Sequence, residues 1–304
     1  MTDIQPQLSS YVLFVQHGWH DTNRRIYRLG NTLADRQTEV IAPNLGLIKT
    51  WWRIEPLIEQ VEQAAIAARH RHPDLPWRIV GHSMGGLIWL ELLERHPEWW
   101  AQVASVSLVS SPVGGADLGR IIDPFRWGIG IAKDLGTDRR ALAERLASQI
   151  PIQTIASDYD GGSDGTVPIQ CSQFRHGHYT QLSGIRHDNT KDHPQVTAAI
   201  QHFWAGLEDG AASPGVFDPI GDAIIKRLQA IPGMTDAHLR HFDRAAVWAS
   251  LKHGFTLRTW RSSLGIHHIF LADTQNRCCF AGFVGWSDTQ GLYKGLNDLK
   301  RGLY

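Results

Sequence analysis

Short apolar runs alternate with amphipathic stretches along the first two thirds of the chain. Tyr11 to Val15, Thr38 to Ile41, Leu75 to Val80, Val103 to Val109, Pro151 to Ala156 and Tyr179 to Leu182 read as strands. Between them Thr22 to Leu33, Ile54 to Ala68, Leu87 to Arg95 and Gln195 to Leu207 carry apolar residues at helical spacing. Strands that alternate with helices in this way predict a mainly parallel sheet with helices on both faces. In such sheets ligands gather at the carboxyl ends of the strands, so the loops that leave those ends are where chemistry is expected.

The texture changes near residue 209. Gly210-Ala211-Ala212-Ser213-Pro214-Gly215 is a small-residue linker. Beyond it Ile220 to Ile231 and Ala237 to Leu251 show helical periodicity, while Phe255 to Trp260, Ile266 to Ala272 and Cys278 to Val284 read as strands. The expectation is an α/β domain over residues 1–210 and a small α+β extension over 211–304, whose role and protein partner the sequence leaves unknown. Within the first domain a long connection, about 113–150, carries isolated apolar residues at Ile121, Ile122, Phe125, Trp127, Ile129 and Ile131. It reads either as a helical lid beside the pocket or as a surface insertion with no gating role.

Charge adds an exclusion. Thirty basic and thirty acidic side chains cancel, so no net field draws in nucleic acid or an anionic membrane. The opening Met1-Thr2-Asp3-Ile4-Gln5-Pro6 has neither a basic nor an apolar leader region, and no later run approaches the length of a membrane span. A soluble cytoplasmic chain with no integral membrane segment is expected. Three cysteines, Cys171, Cys278 and Cys279, are too few for a disulfide framework and are expected as reduced thiols. The 12 tryptophans include the adjacent pairs Trp51-Trp52 and Trp99-Trp100, where exposed rings would suit an apolar substrate surface.

The most specific stretch is Gly81-His82-Ser83-Met84-Gly85-Gly86, entered from a strand and left into a helix. A serine flanked two residues away on each side by glycine is the nucleophile-elbow arrangement. Small neighbours let a hydroxyl stand out on a strained turn, and the helix N-terminus favours the negative charge that develops in acyl transfer. The Met84 N–H follows the nucleophile and is one oxyanion donor. The other is expected on the loop Gln16-His17-Gly18-Trp19-His20-Asp21-Thr22, where Gly18 lets the Trp19 N–H turn inward. His17 and His20 are read as structural members of that loop.

A triad acid should sit just past a strand end, and the loop after Ala156 offers Asp158, Asp160 and Asp164. Asp164 is preferred, because Gly165-Thr166-Val167-Pro168 gives a tight turn and an extended exit, while Asp158 and Asp160 read as turn formers. The general base belongs after the last strand of the sheet, where His187 is nearest the strand end and His193 stands beside Pro194 at a helix start. His238 and His241 with Asp236 and Asp243, or His267 and His268 with Cys278 and Cys279, could be considered as metal ligands, but neither set has zinc-finger spacing.

With these residues in view the first two thirds of the chain resemble the lipase/esterase branch of the alpha/beta-hydrolases, bacterial triacylglycerol-lipase-like proteins above all. The resemblance rests on His17-Gly18, Asp21-Thr22, Ala42-Pro43-Asn44, the elbow, Ser111-Pro112, Asp164-Gly165-Thr166-Val167-Pro168 and His187 before the terminal helix. It implies the alpha/beta-hydrolase fold and a serine hydrolase for a small-molecule ester or lipid substrate, working without metal or organic cofactor. Catalytic Ser83, Asp164 and His187 would act with oxyanion donors Trp19 and Met84. Thioester or amide cleavage and acyl transfer could use the same triad, and a binding or scaffold protein with an idle hydrolase domain is the alternative of another class.

Overall fold

The structure is a computed structural model that describes residues 11–115, 131–210 and 219–302. Its first sheet contains β1 (Val12–Gln16), β2 (Glu39–Ile41), β3 (Trp77–His82), β4 (Val103–Val109), β5 (Ile152–Asp158) and β6 (His178–Ser183) in the order β2-β1-β3-β4-β5-β6. Every pairing in it is parallel. Side chains alternate across a strand, so β1 is buried on both sides. Leu13 and Val15 pack with α1 (Asn23–Leu33) and α6 (Pro194–Glu208). Val12 and Phe14 pack with α2 (Glu55–Arg71) and α3 (Met84–Arg95). The sheet is thus the expected parallel one, covered on both faces.

The chain leaves β1 for β2 on one side and returns to β3 on the other. This reversal places the ends of β1 and β3 side by side, which is the position that opens a crevice in such sheets. Two short helices follow β4, α4 (Ile131–Leu135) and α5 (Arg140–Ala147). Their Ile131, Leu135, Ala143 and Leu146 are buried in the same core as α3. Residues 116–130, which carry most of the apolar side chains that suggested a lid, lie outside the described residues, as does the linker segment 211–218.

The C-terminal unit is a second, antiparallel sheet. It contains β7 (Thr235–Asp236), β8 (Ala246–Ser250), β9 (Thr256–Arg261), β10 (His267–Ala272) and β11 (Cys278–Val284), in the order β7-β11-β10-β9-β8. Helices α7 (Pro219–Gln229) and α8 (Thr289–Gly302) bury Ile224, Leu228, Leu292, Leu296 and Leu299 against Leu257, Ile269 and Leu271 of one face. Phe270, Ala281 and Phe283 of the other face pack with Leu239 and Phe242.

One expected element is absent. Residues 237–251 form a 3₁₀ turn at Leu239–Arg244 followed by β8, not a helix. A register shift in the β8–β9 pairing between Val247 and Ala249 breaks the two-residue alternation that marks a strand, and the ladder to β9 decides the conformation.

Candidate active site

Ser83 occupies the single position between β3 and α3, with φ 54° and ψ −125°. A positive φ in a residue with a Cβ is strained by about 1–3 kcal/mol and persists only where the surroundings hold it. Here the Ser83 N–H donates to Val109 O at 2.8 Å and the Gly86 N–H to Ser83 O at 3.1 Å. Glycine is required where the loops meet. A Cβ on Gly85 would lie 2.4 Å from Gln16 O, and one on Gly18 would lie 2.8 Å from Ser83 Cβ and 3.2 Å from Met84 N. The backbone that leads into Trp19 therefore rests directly on the turn that carries Ser83, beside the amide of Met84. The N-terminus of α3 carries the positive end of the helix dipole at this turn.

The histidines of the first loop hold it in place. His17 is buried, and its Nε2 accepts the Leu45 N–H at 3.0 Å. The ring proton is therefore on Nδ1, which donates to Gly18 O at 2.9 Å. Burial pushes the His17 imidazole below its usual range, so it stays neutral. His20 receives Trp51 Nε1–H at 3.3 Å and donates its backbone N–H to Thr50 Oγ1 at 3.1 Å. The Trp51 ring meets Trp19 edge-on, with centroids 4.5 Å apart. Leu47, Ile48 and Trp52 on the same segment are exposed, which sets an apolar surface beside Trp19.

Asp164 and His187 come together at the carboxyl ends of β5 and β6. Asp164 Oδ2 is 2.8 Å from His187 Nδ1, and the carboxylate is buried. Its Oδ1 accepts the N–H groups of Thr166 at 3.0 Å and Val167 at 2.7 Å, across a turn whose Gly165 sits at φ 90°. With Nδ1–H held by the carboxylate, Nε2 is the free basic nitrogen of His187. Asp158 and Asp160 are turn formers. Asp158 Oδ1 accepts Gly161 N–H and Gly162 N–H, and Asp160 Oδ1 accepts Ser163 N–H and Oγ–H. His193 caps α6, its Nδ1 accepting the Gln195 N–H at 3.2 Å.

Sequence patterns alone did not single out three further groups. His82, buried beside Ser83, places Nε2 3.2 Å from His187 O and 3.1 Å from Thr190 Oγ1, with its ring 4.9 Å from that of His187. Burial, reinforced by His187, drives the His82 imidazole well below its usual range, so it is a neutral donor from Nε2. It thereby ties the His187 loop to the elbow. Lys191, almost wholly buried, bridges Asp21 Oδ2 at 2.7 Å and Asp188 Oδ1 at 2.5 Å, and Arg25 of α1 reaches Asp188 O at 2.8 Å. These contacts connect the Trp19 loop to the His187 loop. A signal was present only in the Asp21-Thr22 pair and the charged run after His187.

The histidines considered as metal ligands have other contacts. His238 pairs with Asp160, His241 stacks on Trp260 with centroids 3.9 Å apart, and His267 bonds Tyr293 at 3.0 Å. Burial pushes the Cys278 thiol up to about 12.

A family model described as "Serine aminopeptidase, S33" matches residues 9–127. That span contains Gly18, Trp19 and the elbow, and stops before Asp164 and His187. Est1E of Butyrivibrio proteoclasticus with ferulic acid bound superposes at TM-score 0.50 and 15% identity, covering 66% of this chain and 90% of that one. The parallel sheet, the elbow and this likeness decide the fold. The chain has the alpha/beta-hydrolase fold. A lipase of Bacillus licheniformis in its propeptide form superposes at TM-score 0.52 and 12% identity, over 90% of this chain and 65% of that one. Its mature form gives 0.48 and 12%, over 68% and 95%. No curated protein sequence matches the chain. Among the described residues no helix is long and apolar enough to cross a membrane.

Proposed function

We propose that the chain is a serine hydrolase of carboxylic esters with apolar character, working through Ser83, His187 and Asp164. The observation that carries this reading is the 2.8 Å contact of Asp164 with His187, together with a strained serine whose neighbour His82 is bonded to the base loop. In this reading Ser83 Oγ attacks the ester carbonyl while His187 Nε2 takes its proton. The N–H groups of Met84 and Trp19 receive the oxyanion. Collapse of the tetrahedral intermediate expels the alcohol, which takes the proton back from His187, and water activated by the same imidazole then releases the acid. Residues 1–210 supply every one of these groups.

The exposed Leu47, Ile48, Trp51 and Trp52 support an apolar substrate, since they continue the surface that begins at Trp19. The names of the similar structures, a lipase and a ferulic-acid-bound protein, agree with ester chemistry. The description of the family model favours one second reading, cleavage of an amide at a peptide N-terminus. Hydrolysis of p-nitrophenyl esters from acetyl to palmitoyl, beside an aminoacyl p-nitroanilide, separates the two. The ester reading requires ester turnover that disappears in Ser83→Ala, and anilide turnover alone would replace it with the peptidase.

A further inference from the structure

The acid loop is held from outside its own domain. His238 accepts the Arg240 N–H at its Nδ1, 2.8 Å away, so the ring proton sits on Nε2. That Nε2–H donates to Asp160 Oδ1 at 2.9 Å. The same oxygen accepts Ser163 N–H at 3.1 Å and Ser163 Oγ–H at 2.8 Å, and Ser163 Oγ in turn accepts the Gly165 N–H at 2.9 Å. Ser163 and Gly165 are the two neighbours of Asp164. The fit is also steric, since a Cβ on Gly162, at φ 144°, would lie 3.2 Å from His238 Cε1.

The donor is itself anchored. Ala237 N–H bonds Ala281 O of β11 at 2.8 Å, and the buried Asp236 carboxylate pairs with Arg140. The Arg140 guanidinium also donates to Gln170 O at 3.2 Å and Gln173 O at 3.3 Å, at the far end of the same loop. Between these anchors Ser163, Gly165, Thr166 and Pro168 face a cavity of about 370 Å³ shared with Trp260 and His268. Side-chain packing is therefore sparse on that side of the loop, and the hold on it is polar.

We infer that the C-terminal unit orients the triad acid, with His238 a positioning residue that acts on Asp164 through Asp160 and Ser163. The inference rests on the triad reading above. A carboxylate displaced by a fraction of an ångström holds the imidazole less well, and misplacement of 1 Å is enough to cost about 100-fold.

The test uses the full chain and the variants His238→Ala, His238→Gln, Asp160→Ala and Lys226→Ala. Lys226 pairs with Glu144 across the same junction at 2.9 Å, away from the acid loop, and serves as the control. Two quantities are read: turnover of p-nitrophenyl butyrate, and the exchange rate of the downfield His187 Nδ1 proton, assigned by its loss in Asp164→Asn. We expect His238→Ala and Asp160→Ala to lower kcat about tenfold with KM unchanged and to speed proton exchange by a similar factor. His238→Gln, which keeps a donor, should restore most of both, and Lys226→Ala should alter neither. Wild-type kcat and exchange in His238→Ala overturn the inference, as does a raised kcat, which would make the contact a restraint. Faster exchange in a chain with no Ser83-dependent turnover would overturn the ester reading and leave the positioning role standing.

Discussion

Asp164 is joined to His187 twice. Its Oδ2 meets His187 Nδ1 at 2.8 Å, and its backbone oxygen accepts the His187 N–H at the same distance. The loops after β5 and β6 are therefore cross-linked at the backbone, and in the proposed triad the main task of the carboxylate is to fix the tautomer of the ring. Asp164→Asn should keep the fold and lower kcat by about 10⁴, the size of loss that the wrong tautomer causes in a Ser-His-Asp triad. Asp158→Asn, which retains an acceptor for Gly161 and Gly162, should change kcat little. Steady-state kinetics on a p-nitrophenyl ester with circular dichroism of each variant check both.

The contact of Gly18 with Ser83 gives a steric prediction. A methyl group at residue 18 must push the Trp19 backbone or the elbow aside, because the space is filled by Ser83 Cβ at 2.8 Å and His82 O at 3.1 Å. Gly18→Ala should therefore lower kcat by about two orders of magnitude, the effect of losing one oxyanion donor, with a smaller change in KM. Burst kinetics would show the loss in the acylation step.

The pair Arg140–Asp236 is a buried charge contact between the two units, with Asp236 2% exposed in its side chain. Burial pushes the Asp236 carboxyl above its usual range and the guanidinium opposes that rise, so neither partner is well placed alone. Asp236→Ala should cost about 3–5 kcal/mol in denaturant unfolding, whereas Arg140→Met with Asp236→Leu should cost much less. A similar loss in both would mean that packing, not the orphaned charge, sets the effect.

Two neutral histidines at the site set a pH dependence of stability. His17 and His82 are held below the ordinary value of 6.5 chiefly by burial. As pH falls through about 6.5 the unfolded chain takes up protons that the folded chain refuses. Their contribution is thus complete above that pH and is lost progressively below it. The melting temperature should fall between pH 7 and pH 5, and the fall should be shallower in His82→Gln than in the wild type.

How far these features could be read from the sequence depends on how local their causes are. The parallel sheet follows from apolar runs such as Val103 to Val109, which match β4 residue for residue. Ser83 is marked by its own glycines, and Asp164 is set apart from Asp158 and Asp160 by the Gly165 turn that follows it. The bulge in β8 hid a strand within residues 237–251, and α8 was legible only in the spacing of Leu292, Leu296 and Leu299. His82 and His238 carry no local signal, because their partners lie 108 and 78 residues away in sequence, and the charged run that holds Lys191 does not point to Asp21, 170 residues away.

The most direct measurement is to label the wild-type chain with a fluorophosphonate and locate the adduct by peptide mass spectrometry, beside His187→Ala. A single adduct on the peptide containing Ser83, formed rapidly in the wild type and lost in the variant, is the predicted result. No adduct, an adduct on another serine, or labelling that persists without His187 would contradict the triad.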